Sequence, residues 1–261
     1  MTDLSIVIIS WKMRAMLREL LCSIARHTAG MNYELIVVDN NSKDGTAEMI
    51  RSDFPDAVLI ENEVNRGVAP SRNQALRRAK GRYALILDAD MLLVENSLRQ
   101  MVDFMDRTAD AGICACALIS PEGFIQPSAR RYPSPFVFVL RRLVSFDAAR
   151  RSAALRRHEM ADWDRTSVLD VDYVIGACQM IRREALDQVG LLDEKIFYGP
   201  EDIDYCLRMY RNGWKVYFYP HTRIIHIEQR ITKKKLFSRM SFLHLRGIIY
   251  LFIKYGGKLS R

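Results

Sequence analysis

Short apolar runs alternate with helix-spaced segments through the first third of this chain, and that alternation most restricts its fold. Ser5 to Ser10, Glu34 to Val38, Ala57 to Ile60 and Tyr83 to Leu87 read as strands, too short to be buried helices. Between them, Met13 to His27, Gly45 to Ser52 and Ala69 to Ala79 space their apolar residues as helices do. A β-α-β-α order implies an α/β fold with a mainly parallel sheet covered by helices. Right-handed crossovers then leave a Rossmann-like sandwich. In such a sheet the loops at the carboxyl ends of the strands converge on one ligand crevice. Here those loops are Asp39-Asn40-Asn41-Ser42, Asn65-Arg66-Gly67 and Asp88-Ala89-Asp90.

Asp88 and Asp90 leave the end of the apolar run Tyr83 to Leu87, so two carboxylates sit where a ligand would bind. Carboxylate oxygens are hard ligands suited to Mg²⁺ or Mn²⁺. Such an ion can neutralise a departing diphosphate, which points toward a nucleotide-linked substrate. Taken alone, so short a pair more often caps the next helix or sits on a solvated turn, and Asn, Asp and Gly in all three loops could be turn chemistry alone.

Other features exclude function classes. No Gly-x-Gly-x-x-Gly follows the first strand and no Gly-Lys-Ser/Thr is present, which disfavours dinucleotide dehydrogenases and P-loop enzymes. Cys22, Cys114, Cys116, Cys178 and Cys206 form no Cys-x-x-Cys pair and read as reduced residues, most of them in apolar stretches. The apolar start Leu4 to Ile9 is too short for a signal peptide, and no run of about 18 apolar residues predicts a transmembrane helix.

Charge is unevenly placed. From Arg230 to Arg261 there are nine basic residues and no acidic one, while the other 229 residues carry 30 basic and 31 acidic side chains. The basicity belongs to the tail, which argues for a local anionic partner rather than nucleic acid along the whole chain. Lys233-Lys234-Lys235 and the aromatic, helix-like Leu236 to Tyr255 read either as a helix packed on its own domain or as an interfacial helix on anionic lipid. In the latter case it docks without spanning, with Arg239, Arg246, Lys254 and Lys258 in one sector. Arg130 to Arg165 holds nine arginines and four acidic residues, and reads as an insertion of short helices. Its basic face is either solvated or in contact with an anionic substrate.

Gly199-Pro200-Glu201-Asp202-Ile203-Asp204 opens a further helix, Ile203 to Asn212. Three carboxylates in a first turn complement the helix dipole. One of them could also serve as a general base if it faces the crevice.

The order and spacing of these blocks resemble the family 2 glycosyltransferases of the GT-A fold, from Leu4 to about His226. The likeness rests on Ser5 to Ile9, Val38 to Thr46, Asn65 to Ala69, Arg72-Asn73, Asp88-Ala89-Asp90, Gly176-Ala177, Glu201-Asp202 and His226. Val171 to Cys178, Gly190 to Glu194 and Tyr198 to Asp202 are similar to a rhamnosyltransferase-like branch. That branch often has asparagine where this chain has Asp88, and an aromatic or glycine-rich stretch in place of Val68 to Ser71, so the donor sugar does not follow from the likeness.

The resemblance implies a GT-A domain over 1–229, with an acceptor-side insertion at 130–170 and a basic amphipathic C-terminal helical segment over 230–261. It implies donor binding by Asp39 (near the base), Asn65, Arg72 and Asp88 (near ribose and diphosphate). Asp90 and His226 would hold a divalent metal, Mg²⁺ or Mn²⁺. Asp202 would be the catalytic base, with Glu201 beside it, and Gly176 and Ala177 would lie beneath the acceptor. The expected activity is transfer of a hexosyl residue, with inversion, from a nucleoside diphosphate sugar to a hydroxyl of a lipid-linked glycan or polysaccharide. The expected location is cytoplasmic, peripheral at the inner face of a membrane. Two alternatives remain at this point: a nucleotidyltransferase using the same metal site, separated by its pyrophosphate product, and a non-catalytic membrane-binding adaptor, which needs no such site.

Overall fold

Strands form where the apolar runs predict them. In the computed structural model they are β1 (Leu4–Ser10), β2 (Tyr33–Asp39), β3 (Val58–Glu61) and β4 (Tyr83–Asp88), joined by α1 (Arg14–His27), α2 (Thr46–Asp53) and α3 (Val68–Leu76). The structure describes residues 2–142, 151–228 and 238–261. Lys233-Lys234-Lys235 and Leu236, at the front of the expected C-terminal helix, lie outside the described residues, as do positions 143–150 of the expected insertion.

These four strands pair in parallel in the order β3-β2-β1-β4, each joined to the next in the chain through a helix. The sheet then continues through β10 (Cys178–Arg182), β6 (Ala111–Ile119), β11 (Lys215–His226) and β5 (Met91–Leu93), with β8 (Leu169–Asp170) beside β11. β6 and β11 are parallel, whereas β10 runs antiparallel to both β4 and β6. That reversal brings the start of β10 to the carboxyl end of β4, with Cys178 opposite Leu87. Register sets the rest of the edge: Ser10 pairs with Asp39, Ile9 with Asp88, and His226 with Met91.

Alternation along the strands builds two cores. Leu4, Ile6, Ile8, Leu85 and Leu87 pack under α1, α2 and α4 (Ser97–Arg107). Val7, Ala84 and Ile86 face α3, α7 (Arg183–Val189) and α8 (Glu201–Arg211) on the opposite side. Each fully buried Leu or Ile contributes about 1.5–3 kcal/mol. The expected helix from Ile203 instead opens at Glu201, so all three carboxylates lie inside its first turn. Four of the five free cysteines are buried.

The stretch expected as an insertion, 130–170, holds the short helices α5 (Pro135–Arg142) and α6 (Ala153–Glu159) and is flanked by β7 (Ala129–Arg130), paired with β9 (Tyr173–Val174). The C-terminal helix is α9 (Arg239–Lys254), and it packs on the domain through Gly247, Ile248 and Leu251. Its basic residues are not all turned outward. Lys254 Nζ sits 2.7 Å from Asp193 Oδ2 and 2.6 Å from Asp204 Oδ1, and Arg261 pairs with Asp170 and Asp172. α9 ends at Lys254, so Lys258 falls outside the helical sector expected for Arg239, Arg246, Lys254 and Lys258, and Lys254 is engaged by the domain's own carboxylates. Arg239 and Arg246 remain exposed beside Phe242, Ile249 and Ile253. Among the described residues, no helix is long and apolar enough to cross a membrane.

Candidate active site

The carboxyl edge of the sheet opens into a cavity of about 740 Å³. Nine of the ten residues singled out from the sequence line it: Asn65, Arg72, Asp88, Asp90, Gly176, Ala177, Glu201, Asp202 and His226. Asp39 stands at the end of β2 but does not line the cavity, and its Oδ1 accepts from Ser42 N at 3.0 Å. The adjoining loop is knitted by Asn40, whose Nδ2 donates to Asn65 Oδ1 and Gly67 O and whose Oδ1 accepts from Arg66 N. Gly67 has φ +87°, and a Cβ there would meet Phe197 O at 2.5 Å. Only glycine fits this entry to α3 without strain.

Arg72 is the hub. It projects from α3 and is 3% exposed. Nη1 donates to Glu201 Oε1 at 3.0 Å, and Nη2 donates to Asp88 Oδ1 at 2.7 Å and to Gly176 O at 2.8 Å. Burial opposes the cation, but the charges of Asp88 and then Glu201 outweigh it and hold its pKa above the ordinary value. One guanidinium thus ties the exit of β4, the loop before β10 and the start of α8, in the fixed fork geometry that Arg provides. Gly176 completes the link, because its N donates to Asp202 Oδ2 at 3.2 Å.

The three carboxylates of α8 have three separate fates. Glu201 is buried against Arg72, and burial pushes it up to about 7, against the pull of Arg72. Asp202, inside the first turn, accepts from Ile203 N at 2.8 Å and lines the cavity. Asp204 turns the other way, into the core, and accepts from Arg208, Lys254 and Tyr255. Only Asp202 combines a place on the cavity wall with a carboxylate outside any ion pair among the described residues.

His226, the last residue of β11, also lines the cavity, and its Nε2 lies 3.7 Å from Asp90 Oδ1. His226 Nδ1 lies 2.7 Å from Gln126 Oε1, and Gln126 Nε2 donates to the His226 carbonyl at 3.0 Å. The amide oxygen accepts, so Nδ1 carries the proton and the Nε2 lone pair faces Asp90. Burial lowers the His226 pKa and keeps the ring neutral, against the pull of Asp88 and Glu228. The 3.7 Å gap is shorter than twice a metal–ligand distance of about 2.1 Å, so both groups can reach one ion. Among the described residues no group of three His, Cys, Asp or Glu side chains could hold a metal alone. Substrate oxygens and water would complete the shell, as they do for ions of this class at phosphates.

Gln126 was not signalled by the sequence, since it stands 100 residues from its histidine in an unremarkable loop. Arg130 and Arg141, also on the cavity wall, were visible only as members of a basic segment.

Comparison with known proteins places these features in context. The family described as Glycosyl transferase family 2 matches residues 5–190. An N-acetylglucosaminyl-diphospho-decaprenol L-rhamnosyltransferase of Mycobacterium tuberculosis is 24% identical, over 98% of this chain and 87% of its own length. Among solved structures, a mannosyltransferase of Pyrobaculum calidifontis in complex with GDP-Man and Mn²⁺ superposes with a TM-score of 0.62 at 22% identity, covering 88% of this chain. Residues 1–349 of TarS from S. aureus superpose at 0.60 and 17% identity, covering 87% of it. The chain spans 58% and 60% of the lengths of those two structures.

Proposed function

The chain belongs to glycosyl transferase family 2, and from that premise we propose that it moves one hexosyl residue from a nucleoside diphosphate sugar to a hydroxyl of a lipid-linked glycan, with inversion. One observation carries the reading. Asp202 and the Asp90–His226 pair line a single cavity, and Arg72 ties the exit of β4, before Asp90, to the start of α8, which carries Asp202. That arrangement suits a displacement between two bound partners. The lipid-linked acceptor is supported by the name of the mycobacterial relative, which spans nearly the whole chain.

In this mechanism Asp202 takes the proton of the acceptor hydroxyl as it attacks the anomeric carbon. Gly176 N donates to Asp202 Oδ2 and fixes its orientation. Asp88 is aimed by Arg72 toward the donor, and Asn65 shapes the neighbouring wall. Asp90 and His226 would hold Mn²⁺ or Mg²⁺, which supplies positive charge against the leaving diphosphate. Gln126 holds the His226 ring in the ligating tautomer. Glu201 has a buried Oε2 without a hydrogen-bond partner and acts through Arg72 rather than on substrate.

The exposed face of α9, with Phe242 at 67% and Ile253 at 75% exposure, together with Arg239 and Arg246, would rest on an anionic membrane surface. On a membrane carrying the acceptor, this would place the enzyme peripherally at the cytoplasmic face.

A panel of nucleotide sugars with Mn²⁺ and a diphospholipid-linked acceptor tests the activity. Asp202→Asn should lower turnover by about 10²–10⁴-fold while donor affinity holds. Near wild-type turnover in that variant removes Asp202 from the base role. Release of pyrophosphate instead of a nucleoside diphosphate would refute sugar transfer.

A further inference from the structure

The cavity lining carries charge of both signs, and the proposed reaction uses mainly the acidic groups. Asp88, Asp90, Glu201 and Asp202 supply the negative charge. Arg130, at the end of β7, and Arg141, in the last turn of α5, line the same cavity. Arg130 Nε donates to Pro127 O at 2.8 Å, which fixes its stem. Among the described residues neither guanidinium forms an ion pair with a carboxylate, and Arg141 has no hydrogen-bond partner. The two charges feel each other: the Arg130 charge, followed by burial, lowers the Arg141 pKa. His158 behind them adds no third positive charge, because burial and then the two arginines push its pKa down to about 3 and leave it neutral. Glu159 and Asp202 are the acidic groups that act on both arginines.

Two like charges in a half-buried wall are costly unless an anion joins them, and paired guanidiniums match phosphate oxygens bidentately. The donor diphosphate has its own place at the Asp90–His226 pair. The two arginines are therefore left for an anion on the other substrate. The surroundings say what that anion is attached to. The helix that points Arg141 into the cavity exposes Phe136 and Val139 on its outer side, and Phe138 meets Phe252 of α9 edge-on at 5.9 Å. Phosphate recognition thus adjoins an apolar surface.

Resting on the reading of the chain as a transferase to a lipid-linked glycan, we propose that Arg130 and Arg141 clamp the diphosphate that joins the acceptor sugar to its lipid. The clamp holds the acceptor hydroxyl over Asp202, while the lipid leaves across the apolar faces of α5 and α9. The nucleotide diphosphate does not use it.

Arg141→Gln and Arg141→Lys test the clamp on the full chain. Calorimetric titration with inorganic pyrophosphate in EDTA probes the anion site without a metal. KM is measured separately for the nucleotide sugar and for an N-acetylglucosaminyl-diphospho-prenol with a short chain. One charge-assisted contact is worth about 1.5–3 kcal/mol, or roughly ten- to a hundredfold. Arg141→Gln should weaken pyrophosphate binding and raise the acceptor KM by about that factor, with donor KM shifting by less than about twofold. Arg141→Lys should recover part of the loss. Unchanged pyrophosphate affinity in Arg141→Gln overturns the clamp and leaves sugar transfer standing. A donor KM that rises as far as the acceptor KM reassigns the arginines to the nucleotide and also overturns it. Wild-type protein that transfers from no nucleotide sugar overturns the transferase reading itself, and the acceptor assignment with it.

Discussion

Replacing Arg72 by methionine keeps the length of the side chain and removes the hub. Three bonds of 2.7–3.0 Å disappear, to Asp88, Gly176 and Glu201. The Asp88 carboxylate is about a third exposed, and solvent screens much of its share. The cost therefore concentrates on Glu201, which is buried. Breaking a buried pair by removing one partner costs about 3–5 kcal/mol. The cost should also depend on pH, with a sign fixed by Glu201. Its pKa is raised from an ordinary 4.5 to about 7, by burial first. Stability linked to a raised carboxyl is complete below about 4.5 and is lost as pH rises toward the folded value. Arg72 is the main influence holding that value down. Without it the folded value moves above 7, and the loss continues at about 1.4 kcal/mol per pH unit. Near pH 5.5, both proteins keep Glu201 protonated when folded and this part of the penalty vanishes. Urea unfolding of Arg72→Met against wild type should give about 3–5 kcal/mol near pH 8, and at least about 1 kcal/mol less near pH 5.5. The same penalty at both pH values, or one below about 1 kcal/mol near pH 8, would refute the account of Glu201 as a carboxyl held by one cation.

Other changes probe the remaining walls. Gln126→Leu deprives His226 Nδ1 of its acceptor and should weaken Mn²⁺-dependent donor binding by about 10–100-fold; unaltered metal dependence by calorimetry argues against ligation by His226. Gly67→Ala places a Cβ 2.5 Å from Phe197 O at φ +87°, and the backbone strain alone costs about 1–3 kcal/mol, so a variant that melts with wild type contradicts that packing. Phe242→Ser with Ile253→Ser should remove the salt-insensitive part of binding to anionic vesicles and leave the basic part, which salt screens. Wild-type protein that ignores anionic vesicles at low salt excludes membrane docking by α9.

What was legible in the sequence divides by distance along the chain. The strands from Leu4 to Asp88 declare themselves because side-chain burial on a sheet writes a local pattern, and the order of strands and helices then fixes the parallel half. Asp88 and Asp90 were legible as strand-end carboxylates for the same reason. The links that make a site were not. Arg72 meets Glu201 across 129 positions and Gln126 meets His226 across 100, and no local pattern carries such a pair. The reversal at β10, which brings Gly176 to the edge, likewise depends on a pairing with β4 that short-range periodicity does not encode. The tail shows the opposite problem. Its composition is locally clear, with basic residues and no acidic ones, but the charges that answer Lys254 and Arg261 lie at Asp193, Asp204, Asp170 and Asp172. A count by segment separates partners that the fold reunites.

The first turn of α8 shows why such clusters resist a single reading. Successive helix positions turn by about 100°, so Asp202 points away from Glu201, while Glu201 and Asp204, three apart, lie about 60° from each other and part only in the partners they meet. Complementarity with the helix dipole accounts for their being tolerated together but not for what each does. Their surroundings decide that: Arg72 for Glu201, the cavity for Asp202, and Lys254 and Tyr255 for Asp204. The consequence reaches the C-terminal helix. Asp204 is wholly buried and draws part of its countercharge from α9, and Asp202 stands two residues away on the same turn. The frame that aims Asp202 is therefore closed from one side by Arg72 and from the other by α9. A segment whose composition suggests a detachable membrane tether is, through Lys254, also part of the mount for the proposed base.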